Sequence, residues 1–516
     1  MPGFFRITAA MNTKVFHRTN VAPQAAIPRH SHVIQQRLRQ RISASWILAL
    51  LLLTQPSVVQ AQFNFTVSNG GITITGYTGS GGAVAIPASI TFISGYDNNN
   101  QPIYTTLPVT AIGDMAFDGG TSLTSVTIPD SVTNIGNQAF DDCPSLTSVT
   151  IPDSVTTIGN YAFYYCLSLT SVAIPDSVTS IGDGAFFSCT DMASLTIPNT
   201  ITKIADEAFA GCMGLTNITI PDTVTSIGDV AFANCTGLGS ITIPNNVTNI
   251  GSWAFNGCTS LTNITIPNSV TTIGSYAFYY CPSLTSVAIP DSVTSIADDT
   301  LARCPSLTNV TIPDTVTSIG DGAFDGGTSL TSVTIPDSVT NIGSWAFNGC
   351  TSLTNITIPN SVTTIGSYAF FNCGLTSVII GNSVTSISDW AFYCCSSLTA
   401  VYFQGNAPSV GSDVFSDDDN VTVYYLPGTT GWDTWSGPPP AVLWNPQAQS
   451  FGVQTNQFGF NITWASGMVV VVEACTNLAN PVWTPVGTNT LTDGSSYFSD
   501  PQWTNNPACF YRLRMP

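Results

Sequence analysis

Histidine is missing from all but the first 32 residues. Its only copies are His17, His30 and His32, and their absence downstream excludes Ser-His-Asp and Cys-His nucleophile arrangements together with histidine-ligated metals. Glutamate is reduced to Glu207 and Glu473, and after residue 61 the bases are Lys203, Arg303, Arg512 and Arg514 against 30 acids. That balance argues against nucleic acid and against acidic lipid surfaces as partners. Long apolar runs are lacking too. Trp46–Leu53 holds eight apolar residues where a bilayer helix needs about 20, so the chain after its leader carries no transmembrane span. Charged residues make up only 8% of a chain rich in Thr, Ser, Gly and Asn, a composition that would suggest disorder if no apolar period overruled it.

The leader explains where the bases went. Residues 1–61 contain seven bases and no acid; Arg37, Arg39 and Arg41 precede the apolar run, and Val59 and Ala61 offer a small-residue cleavage site. Residues 1–61 therefore read as a leader and signal peptide, and the protein as exported, extracellular or at the cell surface. A retained membrane anchor is the competing reading, and the run is too short for it.

What fills the rest is one unit, repeated. Ile-Pro recurs from Pro129 to Pro359 at a constant step of 23 residues, and a fixed period of this length marks a solenoid. Within one unit Leu146, Val149, Ile151, Val155, Ile158, Ala162 and Phe163 form the apolar set. Alternation across Val149, Thr150 and Ile151 puts aliphatics on one side of a strand and hydroxyls on the other. Pro152 and Asp153 turn the chain, and that Asp or Asn recurs in twelve units from Asp130 to Asn382. A second polar position holds Asp114, Asn137, Asn160, Asp183, Asp206, Asp229, Ser252, Ser275, Asp298, Asp321, Ser344, Ser367 and Asp389. These residue types accept from free N–H groups at a helix start, so a short helical or 3-10 turn carrying Ala-Phe is expected there. Leu301 replaces the Phe in one unit, a tolerated core swap. A single unit buries too little to stand alone, and stability belongs to the stack.

The pattern Leu-x-x-Val-x-Ile-Pro, then Val-x-x-Ile-Gly, then Ala-Phe and Cys resembles the BspA-like leucine-rich repeat family over about 330 of the 516 residues. The resemblance implies a leucine-rich-repeat right-handed coil of about fourteen turns, with parallel β-strands and short helical or 3-10 turns. It also implies an exported or surface-attached protein, and an adhesive role toward host or matrix proteins.

Along the chain, residues 62–110 read as an N-terminal cap with the first irregular repeats. Its strands Phe63–Val67 and Ile72–Thr75 are joined by Asn69, Gly70 and Gly71, and a loop insertion runs over Gly95–Pro102. Regular repeats occupy 111–400, a C-terminal cap 401–436, a Pro-rich linker 437–449, and a small C-terminal β-sandwich 450–516. Asn249–Phe278 recurs unchanged as Asn341–Phe370; whole units have been copied, so no turn holds a singular active site.

Of 14 cysteines, eleven take one position per turn, from Cys143 to Cys395, and Gly120 and Gly327 fill that position elsewhere. The site asks for small volume, and stacked parallel Cβ vectors close disulfides poorly, so these read as buried inert thiols. Cys475 and Cys509 stand apart and are expected to pair in an exported protein. Asp417, Asp418 and Asp419 could offer oxygen ligands to Ca²⁺ but read as a solvated acidic loop. Paired aspartates can hydrolyse glycosides, yet the Asp ranks already have turn and cap duties; no enzyme activity, catalytic residue, cofactor or metal is assigned. The binding candidates are the outward strand pairs Ser148 and Thr150, Asn217 and Thr219, Asn263 and Thr265, and Ser332 and Thr334. They form a carpet of hydroxyls and amides renewed about every 4.8 Å. The reading is a monomeric, non-enzymatic binding or adhesion protein that recognises an extracellular protein or glycan on this face. The alternative is a structural surface spacer without a specific ligand. Matching a crystalline surface such as ice is disfavoured, because leucine-rich solenoids curve.

Overall fold

A computed structural model describes residues 62–516 except 419, 436, 438, 455–456, 465–467, 506–508 and 516. Residues 1–61, expected to be a leader, lie outside the described residues. The repeats build a parallel β-solenoid of about 14 turns. Each turn contributes a short strand such as Ser148–Thr150 and, past the Pro152 corner, a two-residue strand such as Thr157–Ile158. Register is set by the repeat length. Val126 aligns with Val149, and Ile135 with Ile158 and then Ile181, so identical side chains stack. The aliphatics and phenylalanines go inward: Val155, Ala162, Phe163 and Cys166 have no exposed surface. Rings at the Phe position form a column, with Phe140, Phe163 and Phe186 separated by 5.2 and 5.3 Å and tilted by 4° and 6°.

The segment carrying Ala-Phe is a run of turns rather than the short helix its residues led us to expect. Tyr161 adopts φ 56° and Trp253 φ 60°, and the same left-handed geometry recurs at this position along the stack, even at the β-branched Val230 (φ 61°). Left-handed backbone is unfavourable for these residues and terminates a helix before it starts. It persists because each N–H is used by the neighbouring turn: Tyr161 donates to Asp183 O, and Val230 to Ser252 O, each at 2.8 Å. The preceding Asp or Asn is redirected in the same way. Asp229 Oδ1 accepts from Ser252 N at 2.7 Å and Asp114 Oδ1 from Asn137 N at 2.7 Å, so these side chains cap the next coil instead of their own. Among the described residues, 3-10 helix occurs only at Trp432–Thr434 and Trp503–Asn505.

The ladder of two-residue strands breaks twice, after Ser180–Ile181 and after Thr272–Ile273. Both breaks fall where the Gly of Ile-Gly becomes Ala, at Ala205 and Ala297. At Gly251 an added Cβ would meet backbone atoms of Gly228 and Asp229 at 2.5 and 2.6 Å, so a methyl crowds the neighbouring coil in the regular 23-residue turns; Ser388, one step of 22 residues after Gly366, keeps its N–H on Ile365 O at 3.0 Å. The Ala297 turn also carries Thr300 and Leu301 in place of Ala and Phe. There the Phe column is interrupted, and a void of about 10 Å³ opens beside Ile273, Ile296 and Leu301.

Both ends are closed. The hairpin Phe63–Ser68 and Gly71–Tyr77 pairs antiparallel and joins the solenoid through Pro102–Ile112, with Tyr77 stacked on Phe117 at 5.3 Å to extend the column. Gly95–Pro102 is the tip of the antiparallel hairpin Ser89–Tyr96 and Pro102–Ile112. At the other end Trp432 and Trp435 pack edge-on to Phe403. The stretch expected as a linker carries strand Ala441–Leu443, parallel to Thr422–Tyr425. Beyond it lie two three-stranded antiparallel sheets, Gln447–Gln454, Gln457–Thr463 and Ser495–Asp500, and Thr484–Thr490, Val469–Cys475 and Phe510–Arg514. Buried Glu473 fastens the second sheet: it accepts from Arg512 Nε at 2.8 Å and Arg514 Nε at 2.7 Å. Burial raises its pKa, but the hydrogen bonds and charges of Arg514 and Arg512 outweigh that and hold the carboxyl below its ordinary value.

Candidate functional site

The outward strand face arises from period-2 alternation on strands of three residues, which leaves one buried aliphatic between two outward side chains. Ser148, Thr150, Asn217, Thr219, Asn263, Thr265, Ser332 and Thr334 are all exposed, flanking buried Val149, Ile218 and Ile264 and half-buried Val333. Parallel pairing brings Thr242 beside Thr265 and Asn263 beside Ser286, so the residues form continuous ranks. Asn217 lies outside the named strands, and Thr219 joins its neighbours through single bridges to Thr196 and Thr242.

Hydrogen bonding separates these side chains from the hydroxyls one position earlier. Thr147 donates to Thr124 O at 2.9 Å and Thr285 to Thr262 O at 3.1 Å, a rank consumed in tying one coil to the next. Of the eight candidates only Asn263 has a side-chain partner among the described residues, Thr262 Oγ1 at 3.4 Å. The face therefore offers donors and acceptors that the fold does not use, and it carries no ionisable group at these positions. What it offers chemically is neutral hydrogen bonding.

The cysteine column is held by an interaction that the residue pattern does not reveal. Cys166 Sγ donates to Phe140 O at 3.2 Å and Cys189 Sγ to Phe163 O at 3.3 Å, and all are free thiols. Burial pushes Cys212 and Cys258 up to about 12, against a smaller opposing effect of backbone hydrogen bonds. The disulfide expected between Cys475 and Cys509 is not present. Cys475 lies opposite Phe510 in the antiparallel register, which displaces Cys509 from the directly facing position, and Cys475 Sγ instead donates to Asn477 O at 3.2 Å. Asp418 is buried, and Asp419 lies outside the described residues, so the acidic stretch is not uniformly solvated. Among the described residues no group of three or more His, Cys, Asp or Glu side chains is placed to hold a metal, and no helix is long and apolar enough to cross a membrane.

The model for the BspA-type leucine-rich repeat region matches residues 110–239, 202–330 and 317–431, together more than half of the chain. This chain belongs to the BspA-type leucine-rich repeat family. Among solved structures, this repeat protein is similar to a leucine-rich cell surface protein from Faecalibacterium prausnitzii, at 35% identity over 67% of this chain and 94% of that one, with a TM-score of 0.50. It is also similar to a leucine-rich repeat protein from Bacteroides ovatus, at 28% identity over 70% of this chain and 97% of that one, with a TM-score of 0.49. No curated protein matches.

Two features of the repeat protein's surface escaped the sequence reading. On the turn side, Trp253 stacks on Tyr276 at 3.9 Å and Trp345 on Tyr368 at 4.0 Å, the same pair copied four units apart. Their ring faces cover one another, so the ladder presents edges and serves the stack. On the strand side, the rank occupied by Thr150 changes character at Ile379, Tyr402 and Tyr424. Tyr402 and Tyr424 are buried with Trp444, Phe460, Ile462 and Val470 in one cluster. The C-terminal sheets thus sit on the strand face of the last turns. The signal was the exchange of a threonine rank for aromatics.

Proposed function

We propose that the protein is an exported, non-enzymatic binding or adhesion protein that holds an extracellular protein or glycan on its outward strand face, as a monomer and without a cofactor. The observation that carries this reading is the rank of exposed side chains from Ser148 to Thr334, nearly all unused by the fold, beside a rank in which hydroxyls such as Thr147 and Thr285 tie coil to coil. Many weak polar contacts at a constant spacing of about 4.8 Å suit an extended partner, and solenoids use such surfaces this way. The relative from Faecalibacterium prausnitzii bears the description of a cell surface protein, which supports a place outside the cell.

The test is capture of extracellular matrix proteins and arrayed glycans by the chain from residue 62 onward, beside a variant carrying Thr150→Lys, Thr219→Lys and Thr265→Lys. The expected result is a ligand for the unmodified chain and at least a tenfold loss in the variant. Undiminished binding by the variant would move the site off this face, and the absence of any ligand would favour a spacer.

A further inference from the structure

The strand face is not uniform, and one of its irregularities has the makings of a pocket. The Thr-to-Thr backbone bond between coils, seen as Thr308 N to Thr285 O at 3.1 Å and Thr376 N to Thr354 O at 2.7 Å, has no counterpart from Thr354 to Thr331 among the described residues. Here one sheet ends at Ser332–Val333 and another begins at Asn355–Ile358. The new sheet opens with four-residue strands, and its first step spans 22 residues instead of 23, Asn355 pairing with Ser377. Two sheets of different strand length meet at this seam and part. Val333 becomes half-buried where Val310 and Ile356 on either side are buried. A cleft of about 350 Å³ results, a volume within the range of small-ligand sites.

We propose that this cleft is a saccharide subsite for a neutral sugar ring, within the strand-face binding surface; it rests on that reading and narrows it. Thr334, Asp337, Thr357 and Gln404 line it, and none of their side chains has a hydrogen-bond partner among the described residues. Asn360 adds an amide whose oxygen takes Asn382 N at 2.8 Å, leaving its NH₂ available. Carboxylate, amides and hydroxyls over an aliphatic floor of Val333 and Ile356 match the alternation of hydroxyls and C–H faces on a pyranose. Gly381 lies between Gln404 and the Pro359 coil, and a Cβ there would lie 2.4 Å from Pro359 O. No base lines the cleft, and the solenoid as a whole has only Lys203 and Arg303, so sialylated, uronate or sulfated sugars meet Asp337 without a counter-charge.

The experiment is saturation-transfer NMR of the chain from residue 62 onward with neutral oligosaccharides, acidic oligosaccharides and peptides from digested matrix protein, followed by titration of any hit. Neutral sugars are expected to bind. Asp337→Ala and Gln404→Ala should each weaken binding about tenfold, and Thr357→Trp, which fills the cleft, should abolish it. Far-UV circular dichroism verifies that these surface changes leave the fold intact. The Thr150, Thr219 and Thr265 lysine variant leaves the cleft untouched and should keep the short oligosaccharide while losing the extended ligand captured along the face. No neutral-sugar signal, a preference for acidic sugars or peptides, or binding indifferent to all three cleft variants would overturn the proposal. If sugar binding fails while matrix capture still responds to the lysine variant, the subsite is wrong and the strand-face reading stands. If capture ignores the lysine variant but sugar binding needs Asp337, the reverse holds.

Discussion

Cys212 gives its thiol hydrogen to Phe186 O at 3.3 Å, and the same bond is made by one cysteine per coil through most of the stack. The same carbonyl accepts Cys189 N at 3.2 Å, and a thiolate beside it would lose the S–H bond and face the oxygen's negative end. Burial pushes Cys212, Cys258 and Cys304 up to about 12, whereas an unfolded thiol titrates near about 8.5. Because the folded value is the higher one, the stability these groups contribute is whole below about pH 8.5 and is lost as pH rises toward 12. The urea midpoint should therefore hold from pH 6 to 8 and fall steeply above about pH 9, since several thiols titrate together. Replacing Cys212, Cys258 and Cys304 by Ala should lower stability at pH 7 by about 0.5–1.5 kcal/mol per site, through the lost S–H bond, and flatten the alkaline fall. An unchanged alkaline slope would assign the loss to other groups. The column's burial and small size were legible from Gly120 and Gly327 at the same register. The bond itself was not, because it links residues 26 apart, one period plus three, and aligning columns compares only residues 23 apart.

In the 23-residue turns the two-residue strand runs into a glycine whose N–H bonds the coil before. Gly274 N donates to Ile250 O at 2.9 Å and Gly320 N to Ile296 O at 2.9 Å, but the equivalent bond from Ala297 to Ile273 is missing among the described residues. Replacing Ala297 by Gly should restore it together with the Thr294-to-Thr271 bond. Two bonds at about 0.5–1.5 kcal/mol each outweigh the roughly 0.5–1 kcal/mol that a glycine loses in backbone entropy. A net gain of about 1 kcal/mol in the urea midpoint, with slower amide exchange at 294 and 297, is the expected outcome. A loss without slowed exchange would show that the ladder is broken by something other than the methyl. At this scale the strands and corners were legible, because alternation and Pro-Asp act within a few residues. The helical turn was not. Asp229 and its equivalents do accept backbone N–H groups, but a capping residue looks the same in sequence whether its donor lies on its own helix or on the coil above.

On the scale of the molecule, the strand face is a single surface with two owners. From Ser148 to Thr334 it is polar and exposed; at Tyr402 and Tyr424 the C-terminal sheets cover it, packing Phe460, Ile462 and Val470 against those rings. Sequence reading divides the chain at the prolines near residue 440 because composition changes there. It misses that the solenoid had already exchanged its outward threonines for Ile379, Tyr402 and Tyr424, a change that makes sense only with a partner in place. Tyr402→Ser with Tyr424→Ser returns the rank to its solvated composition without touching the inward Val401, Phe403 or Val423. Each truncation removes a buried ring worth about 3–5 kcal/mol, an amount comparable with the whole stability of a small β domain. Limited proteolysis should then cut faster within 437–449 and release the C-terminal sheets, while the solenoid keeps its melting temperature because the Phe column is intact. A variant as resistant as the parent chain would mean that strand Ala441–Leu443 and Trp444 suffice to hold the sheets. A solenoid that melts with them would mean that the C-terminal sheets are part of its cap.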